Sequence, residues 1–242
     1  MHRAFLILGK SKVMKSLKHL YLIVFLLAWS FLLIGQKRYV ADSERFNAGV
    51  IIGFNTSQLD GDFFTGYNKN GLTGGLKGIV KLTPRLDFNM EFLYSKKGST
   101  IFAGNFNGTT PLKDRTIDLT YIDVPFLFKW MLENDASSWH IEGGLIYSRL
   151  INSEVEEVLN DPERQFSYQT IIEDFGSNDV SWVGGLGYTH KSGVSIHGRF
   201  VYGLTKFYEK NELETNPAAV IPGSVDFLRN YYLSFQIAYA IF

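Results

Sequence analysis

The sequence contains no cysteine, and that absence removes several kinds of chemistry at once. A disulfide framework, a thiolate metal site, a cysteine nucleophile and a lipid-bearing cysteine at a processing site are all excluded. Positive charge is not in excess, because 24 Lys and Arg stand against 24 Asp and Glu. The basic stripe that a nucleic-acid partner needs is therefore missing, and no nucleic-acid partner is expected. Histidine is sparse, and beyond residue 35 only His140, His190 and His197 are found. Long apolar runs are confined to one place near the start, so no later transmembrane helix is expected after Gln36.

That single run is informative. From Met14 the chain reads MKSLKHLYLIVFLLAWSFLLIGQ: a basic start at Lys15 and Lys18, an apolar stretch from Leu20 to Ile34, then Gly35. The order of basic, apolar and small segments is that of a secretory signal peptide. A single membrane anchor is the alternative, but the run falls short of the ~20 residues that a helical span prefers. Residues 1–35 are read as the signal peptide, with Met14 as the true start and cleavage after Gly35, and 36–44 as a short lead-in. Its removal takes away Arg3, Lys10, Lys12, Lys15 and Lys18 and no acid. The mature chain is then mildly acidic.

What the sequence has in quantity is aromatics, with 20 Phe and 13 Tyr, set into alternating segments. In RLDFNMEFLYSKK, Leu86, Phe88, Met90, Phe92 and Tyr94 fall on one side of an extended chain. Asp87, Asn89, Glu91 and Ser95 fall on the other, and Leu93 alone breaks the alternation. Such a pattern is a two-sided strand. Eight segments of this kind are read: Arg45–Asn55, Gly71–Leu82, Leu86–Lys97, Tyr121–Leu132, Trp139–Ile151, Val180–Thr189, Val194–Thr205 and Asn230–Phe242. Most have the ~9–11 residues or slightly more that cross a bilayer at a tilt, where soluble strands average about 5–6.

The connections decide between a soluble sandwich and a membrane barrel. Thr56–Asn70, Gly98–Thr120, Asn152–Asp179 and Lys206–Arg229 are long, while Thr83–Arg85, Glu133–Ser138 and His190–Gly193 are short. Long and short alternate strictly, as in an outer-membrane barrel with short periplasmic turns and long external loops. Aromatics agree with that frame. Phe54, Tyr94, Tyr147, Trp182 and Tyr202 lie toward the external ends of their strands, and Trp130, Trp139, Tyr188 and Tyr239 toward the periplasmic ends, as two interfacial girdles require. The expected fold is all-β: an eight-stranded antiparallel up-and-down transmembrane barrel over residues 45–242, located in the outer membrane. Its greasy faces meet lipid, since only a closed sheet satisfies its backbone in a bilayer.

Several stretches carry a family resemblance. AGVIIGFNTSQLDGD at 48–62, KLTPRLDFNMEFLYSKKG at 81–98, YIDVPFLFKW at 121–130, GGLGY at 184–188 and GRFVYGLT at 198–205 resemble, in order, the PorT-like outer-membrane β-barrel family of Bacteroidota. The resemblance spans the mature chain and implies an eight-stranded barrel. A founding member of that family is tied to protein secretion across the outer membrane, and most members have no assigned activity. Two features depart from simple expectation. Phe242 is out of phase with Tyr239 and Ile241, so either the last strand ends in a bulge or the assembly signal is a variant. Pro125 inside the fourth segment ordinarily disfavours a central strand; it matches the family's pattern there, and a local distortion is expected.

The functional expectation follows from the interior. An eight-stranded barrel is about wide enough to be filled by its own side chains, and Lys77, Lys81, Asp87, Glu91, Asp123, Lys129, Glu142 and Arg199 point inward with both signs. A plugged, salt-bridged lumen is expected. Ser195 and His197 share a face and suggest a nucleophile and base, but they point inward, away from lipid acyl chains. His140 and Glu142 match only the start of a zinc deaminase motif, which no cysteine completes. No catalytic, cofactor or metal residue is assigned and no cofactor is expected. The loops mix acids with Phe166, Tyr168, Phe175, Phe207 and Tyr208, a composition able to order on a partner or on lipopolysaccharide.

The expected role is thus non-enzymatic: a structural or partner-binding barrel, with a protein-secretion or surface assembly as its setting. Outer-membrane lipids and lipopolysaccharide surround it, the barrel-assembly machinery inserts it, and a secretion-system protein is the expected class of partner. The competing account is a soluble periplasmic lipocalin-like carrier of a small apolar ligand, which requires the greasy faces to point inward.

Overall fold

The computed structural model describes residues 45–62, 65–102, 112–135, 137–159, 167–210 and 225–241. Residues 1–35, read above as a signal peptide, the expected lead-in 36–44, Phe166 and Phe242 lie outside the described residues. Where side chains alternate between apolar and polar, the chain forms strands: β1 (Phe46–Asp60), β2 (Lys69–Thr83), β3 (Leu86–Phe102), β4 (Leu112–Met131), β5 (Ser138–Leu159), β6 (Asn178–Thr189), β7 (Val194–Gly203) and β9 (Phe227–Ile241). A two-residue strand, β8 (Tyr208–Glu209), pairs onto the start of β9. All neighbours are antiparallel, and β9 pairs with β1 as well as β7. An eight-stranded ring results, closed by the pairing of β9 with β1. Among the described residues no helix is long and apolar enough to cross a membrane.

The greasy faces point outward. Phe46, Ile52, Leu72, Leu76, Phe92, Phe128, Trp139, Leu145 and Leu186 are all exposed, and their polar strand neighbours Asn55, Lys77, Glu91, Lys129, His140 and Glu142 are buried inside. An inside-out arrangement of this kind does not suit a soluble carrier, whose exterior would then be apolar. Met90, midway between Leu86 and the girdle residue Tyr94 in β3, is half exposed on this outer band. Met90→Arg is expected to cost about 2–4 kcal/mol in bilayer-folded protein, and Leu82→Arg beside the periplasmic turn only about 0–1 kcal/mol. Urea titration in lipid vesicles measures both, and equal costs would contradict the assigned depth.

The strands run further than their alternation announces, and they do so at the external end. Pairing of β3 with β2 stops at Ser95, and pairing of β5 with β6 stops at Arg149. Beyond those points β3, β4 and β5 continue as a three-stranded extension up to Phe102, Leu112 and Leu159. The long connections are correspondingly shorter than the sequence suggests. Two local devices shape this region. At the register shift opposite Thr120 and Tyr121, Ile151 is an extra residue in β5, and a bulge of this kind reverses which side chains face inward. Beyond it the inward set changes from Ile146 and Ser148 to Val155. At Pro125 the β3–β4 ladder lapses, since no pairs link Glu91 or Phe92 to β4, yet the register is the same on either side. Proline has no N–H to donate, so the lapse is the expected distortion.

Candidate functional site

The interior is layered. Nearest the periplasm, Asp87 meets Lys129 at 2.9 Å, while Lys81 pairs along the backbone with Asp87 but lies only half-buried at the rim. Above it stands a network that joins opposite walls of the ring. Arg199 on β7 donates from Nη1 to Glu91 Oε2 at 2.7 Å and from Nη2 to Glu91 Oε1 at 2.9 Å, reaching β3. Its Nε donates to Glu142 Oε1 on β5 at 2.6 Å. Lys77 Nζ on β2 lies 3.3 Å from Glu91. Every member is buried, and buried charge is tolerated only when paired in this way.

The network can form across β6 because β6 offers no side chain there. Glu142, Gly185 and Arg199 lie in one row of paired residues, and His140, Gly187 and His197 in the next. A Cβ at Gly187 would sit 2.6 Å from His140 Nε2, and one at Gly185 would sit 3.0 Å from Arg199 Cγ. The two inward glycines of GGLG therefore clear the space through which β5 and β7 touch. His140 Nε2 lies 3.3 Å from His197 Nδ1, His197 Nδ1 lies 3.1 Å from Glu142 Oε1, and Ser195 Oγ lies 2.9 Å from His197 Nε2. Ser195, His197 and Glu142 thus have the spacing of a nucleophile, base and orienting acid. All three are buried in the lumen, and Glu142 is engaged by Arg199.

Two further layers close the lumen. Lys97 Nζ donates to both oxygens of Asp123 at 3.0 Å and lies 4.4 Å from the centre of the Tyr121 ring and 4.8 Å from that of Tyr232. A void between Asn55, Asp123, Arg199 and Tyr232 holds about 10 Å³, room for no more than about one water. Above it Leu59, Ile117, Leu119, Tyr121 and Val155 from the strands are covered by Tyr168, Ile171, Phe175, Phe207 and Val225 from the external connections, with Tyr208 of β8 and Leu228 at the start of β9. These form an apolar cap over the external mouth. Arg115 stacks 3.6 Å above the Tyr168 ring, and burial pushes the Tyr168 phenol up to about 12 despite that nearby charge.

The cap corrects one expectation. Tyr168, Phe175, Phe207 and Tyr208 do not wait on the surface for a partner; they are buried against their own barrel. The reason is that a hydrophobic side chain in a long connection minimises its exposed area on the nearest apolar surface, and the inner faces of β4 and β5 supply one. Of the inward charges, Lys97 went unassigned by sequence reasoning although it shares the phase of Glu91 and Ser95, which is the signal that finds it.

Residues 35–209 match the family model described as outer membrane protein beta-barrel domain. No curated protein matches the sequence. Among solved structures the chain is similar to Ail, the attachment invasion locus protein of Yersinia pestis, with 12% identity and a TM-score of 0.42 over 81% of this chain and 98% of that one. It is similar to the outer membrane protein OprG from Pseudomonas aeruginosa, with 9% identity and a TM-score of 0.38 over 81% and 94%. Neisserial surface protein A gives 9% identity and 0.39 over 81% and 97%.

Proposed function

We propose, from the premise that this chain belongs to the outer membrane protein beta-barrel domain family, that it is a closed, non-conducting and non-enzymatic barrel that serves as a structural or partner-binding component of the outer membrane. Family membership places it in the outer membrane. The observation that carries the proposal is the filled interior: the Glu91–Arg199–Glu142 network crosses the lumen and the Tyr168–Phe207 cap covers its external mouth. A continuous water path is needed for conduction, and a void of about 10 Å³ does not supply one. Burial of Ser195 and His197 supports the absence of hydrolysis.

What the fold leaves for a partner is the outside of the cap and the three-stranded extension, where Glu154, Glu156, Glu173 and Asp174 are exposed. Their setting supports recognition through charge. The resemblance of 81–98 and 121–130 to the PorT-like barrels supports a protein-secretion assembly as that setting. Purified protein in a planar bilayer is expected to give no stable conductance steps, and regular steps from the wild-type chain would overturn the closed-barrel reading. A photo-crosslinking residue in place of Glu173, in the native host, is expected to give a discrete protein adduct. Absence of any adduct there and at Glu156 would leave only the architectural role.

A further inference from the structure

We propose that His140, Glu142 and His197 form a zinc site inside the barrel, just above its periplasmic mouth. Three donor atoms converge there: His140 Nε2, His197 Nδ1 and a Glu142 carboxylate oxygen all lie within 4.8 Å of one another. The separations of 3.3 Å between the two ring nitrogens and 3.1 Å between His197 Nδ1 and Glu142 Oε1 are near those of ligands on one ion; the third pair, His140 with Glu142, is held only within 4.8 Å, so the Glu142 carboxylate swings toward His140 to complete the set. Tetrahedral bonds of about 2.0–2.1 Å place donors roughly 3.3–3.4 Å apart. Two imidazoles and one carboxylate are a donor set suited to zinc, with a fourth position left for water or an anion.

The surroundings of the two rings support the assignment independently. A histidine that binds a metal through one nitrogen ordinarily fixes the ring with a hydrogen bond at the other. His197 Nε2, remote from the cluster, lies 2.9 Å from Ser195 Oγ. His140 Nδ1, likewise remote, lies 3.4 Å from Thr189 Oγ1. Both rings are therefore held from behind, with His140 Nε2 and His197 Nδ1 facing each other and Glu142. In this arrangement Ser195 is an orienting hydroxyl for a ligand, which accounts for its position in a lumen no substrate enters.

Charge is accommodated by the network above. When Glu142 Oε1 turns to the ion, Arg199 keeps both of its bonds to Glu91. Lys77 and Arg199 balance Glu91 and Glu142, so the added charge of the ion is offset in part by a hydroxide or chloride at the open position. The site lies close to its port, because His140 is in the second residue pair above Ser138 and Thr189, where the periplasmic turns begin. Bound there, zinc ties β5 to β7 across the glycines of β6, a staple rather than a reaction centre.

The test uses the full mature barrel, free of any histidine tag, folded in detergent and stripped with chelator. Titration with zinc alone is expected to give one equivalent per chain and a higher midpoint in heat-modifiability. His140→Ala with His197→Ala is expected to abolish that equivalent, His190→Ala in the exposed turn to leave it intact, and Thr189→Val to weaken it by about 10–100-fold. Should the double variant fail to fold, X-ray absorption of the zinc-loaded wild type decides, with two imidazole ligands expected. No bound zinc, an unchanged equivalent in a folded double variant, or an all-oxygen shell would each overturn the proposal.

Discussion

Arg199→Leu is expected to lower the stability of the folded barrel by about 3–5 kcal/mol, the cost of breaking a buried ion pair by removing one partner. Arg199 is the only described side chain that bonds both Glu91 and Glu142, and both carboxylates are buried. Without it two like charges remain buried in the lumen, with Lys77 beside Glu91 and His197 beside Glu142 as their remaining partners. Urea unfolding in lipid vesicles, read by the fast-migrating unboiled band, measures the loss. Glu91→Gln and Glu142→Gln added to Arg199→Leu are expected to recover part of it, since the destabilising element is the stranded charge rather than the missing guanidinium. The exposed pair of Lys206 with Glu209 serves as the control, and Lys206→Ala is expected to cost about 0–1 kcal/mol. A loss for Arg199→Leu no larger than that of the control would mean that the network does not hold the barrel's walls together.

Gly144→Ala is the second large effect, and its neighbour supplies the comparison. Gly144 points inward and is paired with Leu127 of β4; a Cβ there would stand 1.9 Å from the carbonyl oxygen of Phe126 and 3.0 Å from its carbon. The contact is with backbone, so no rotamer change relieves it, and the strand pair must separate. Overpacking of this kind costs about 1–3 kcal/mol and occasionally more. Gly143 points outward, and a Cβ there meets only the Val183 carbonyl oxygen at 3.5 Å, an ordinary contact. Gly143→Ala is expected to change stability by no more than about 0.5 kcal/mol. Folding yield into vesicles and urea midpoints for the two variants provide the measurement. Equal behaviour would mean that β4 and β5 do not approach as closely as the structure has them.

The sequence made the architecture legible because lipid imposes a simple rule on it. Every strand crossing the bilayer must show one apolar face, so Leu86 to Tyr94 and Ile122 to Trp130 announce both their extended form and the side that meets lipid. Alternating connection lengths then set the number of strands and their direction. The alternation fades beyond the membrane, and there the reading fell short. Past Lys97 in β3 and Ile151 in β5 the chain is no longer selected against polar groups on its outer side, the bulge at Ile151 reverses its phase, and residues that read as connection continue as strand. The aromatics of the external connections were legible as aromatics, but their composition is the same whether they meet a partner or their own barrel.

The interior divides in the same way. That Lys77, Glu91, Glu142 and Arg199 face inward follows from their position in each strand, a property of a single chain segment with a period of two. Which of them meet does not follow, because closing the ring staggers every strand against the next and brings β3 opposite β7. The pairing of Arg199 with Glu91 joins residues 108 positions apart, and that of His140 with His197 passes over a strand that contributes only glycine at that level. By itself, then, the sequence determined the strands, their outward faces and the sign of what they enclose. The tertiary structure alone decided the partners inside, because the stagger of a closed sheet is shared by all eight strands and is written in no one of them.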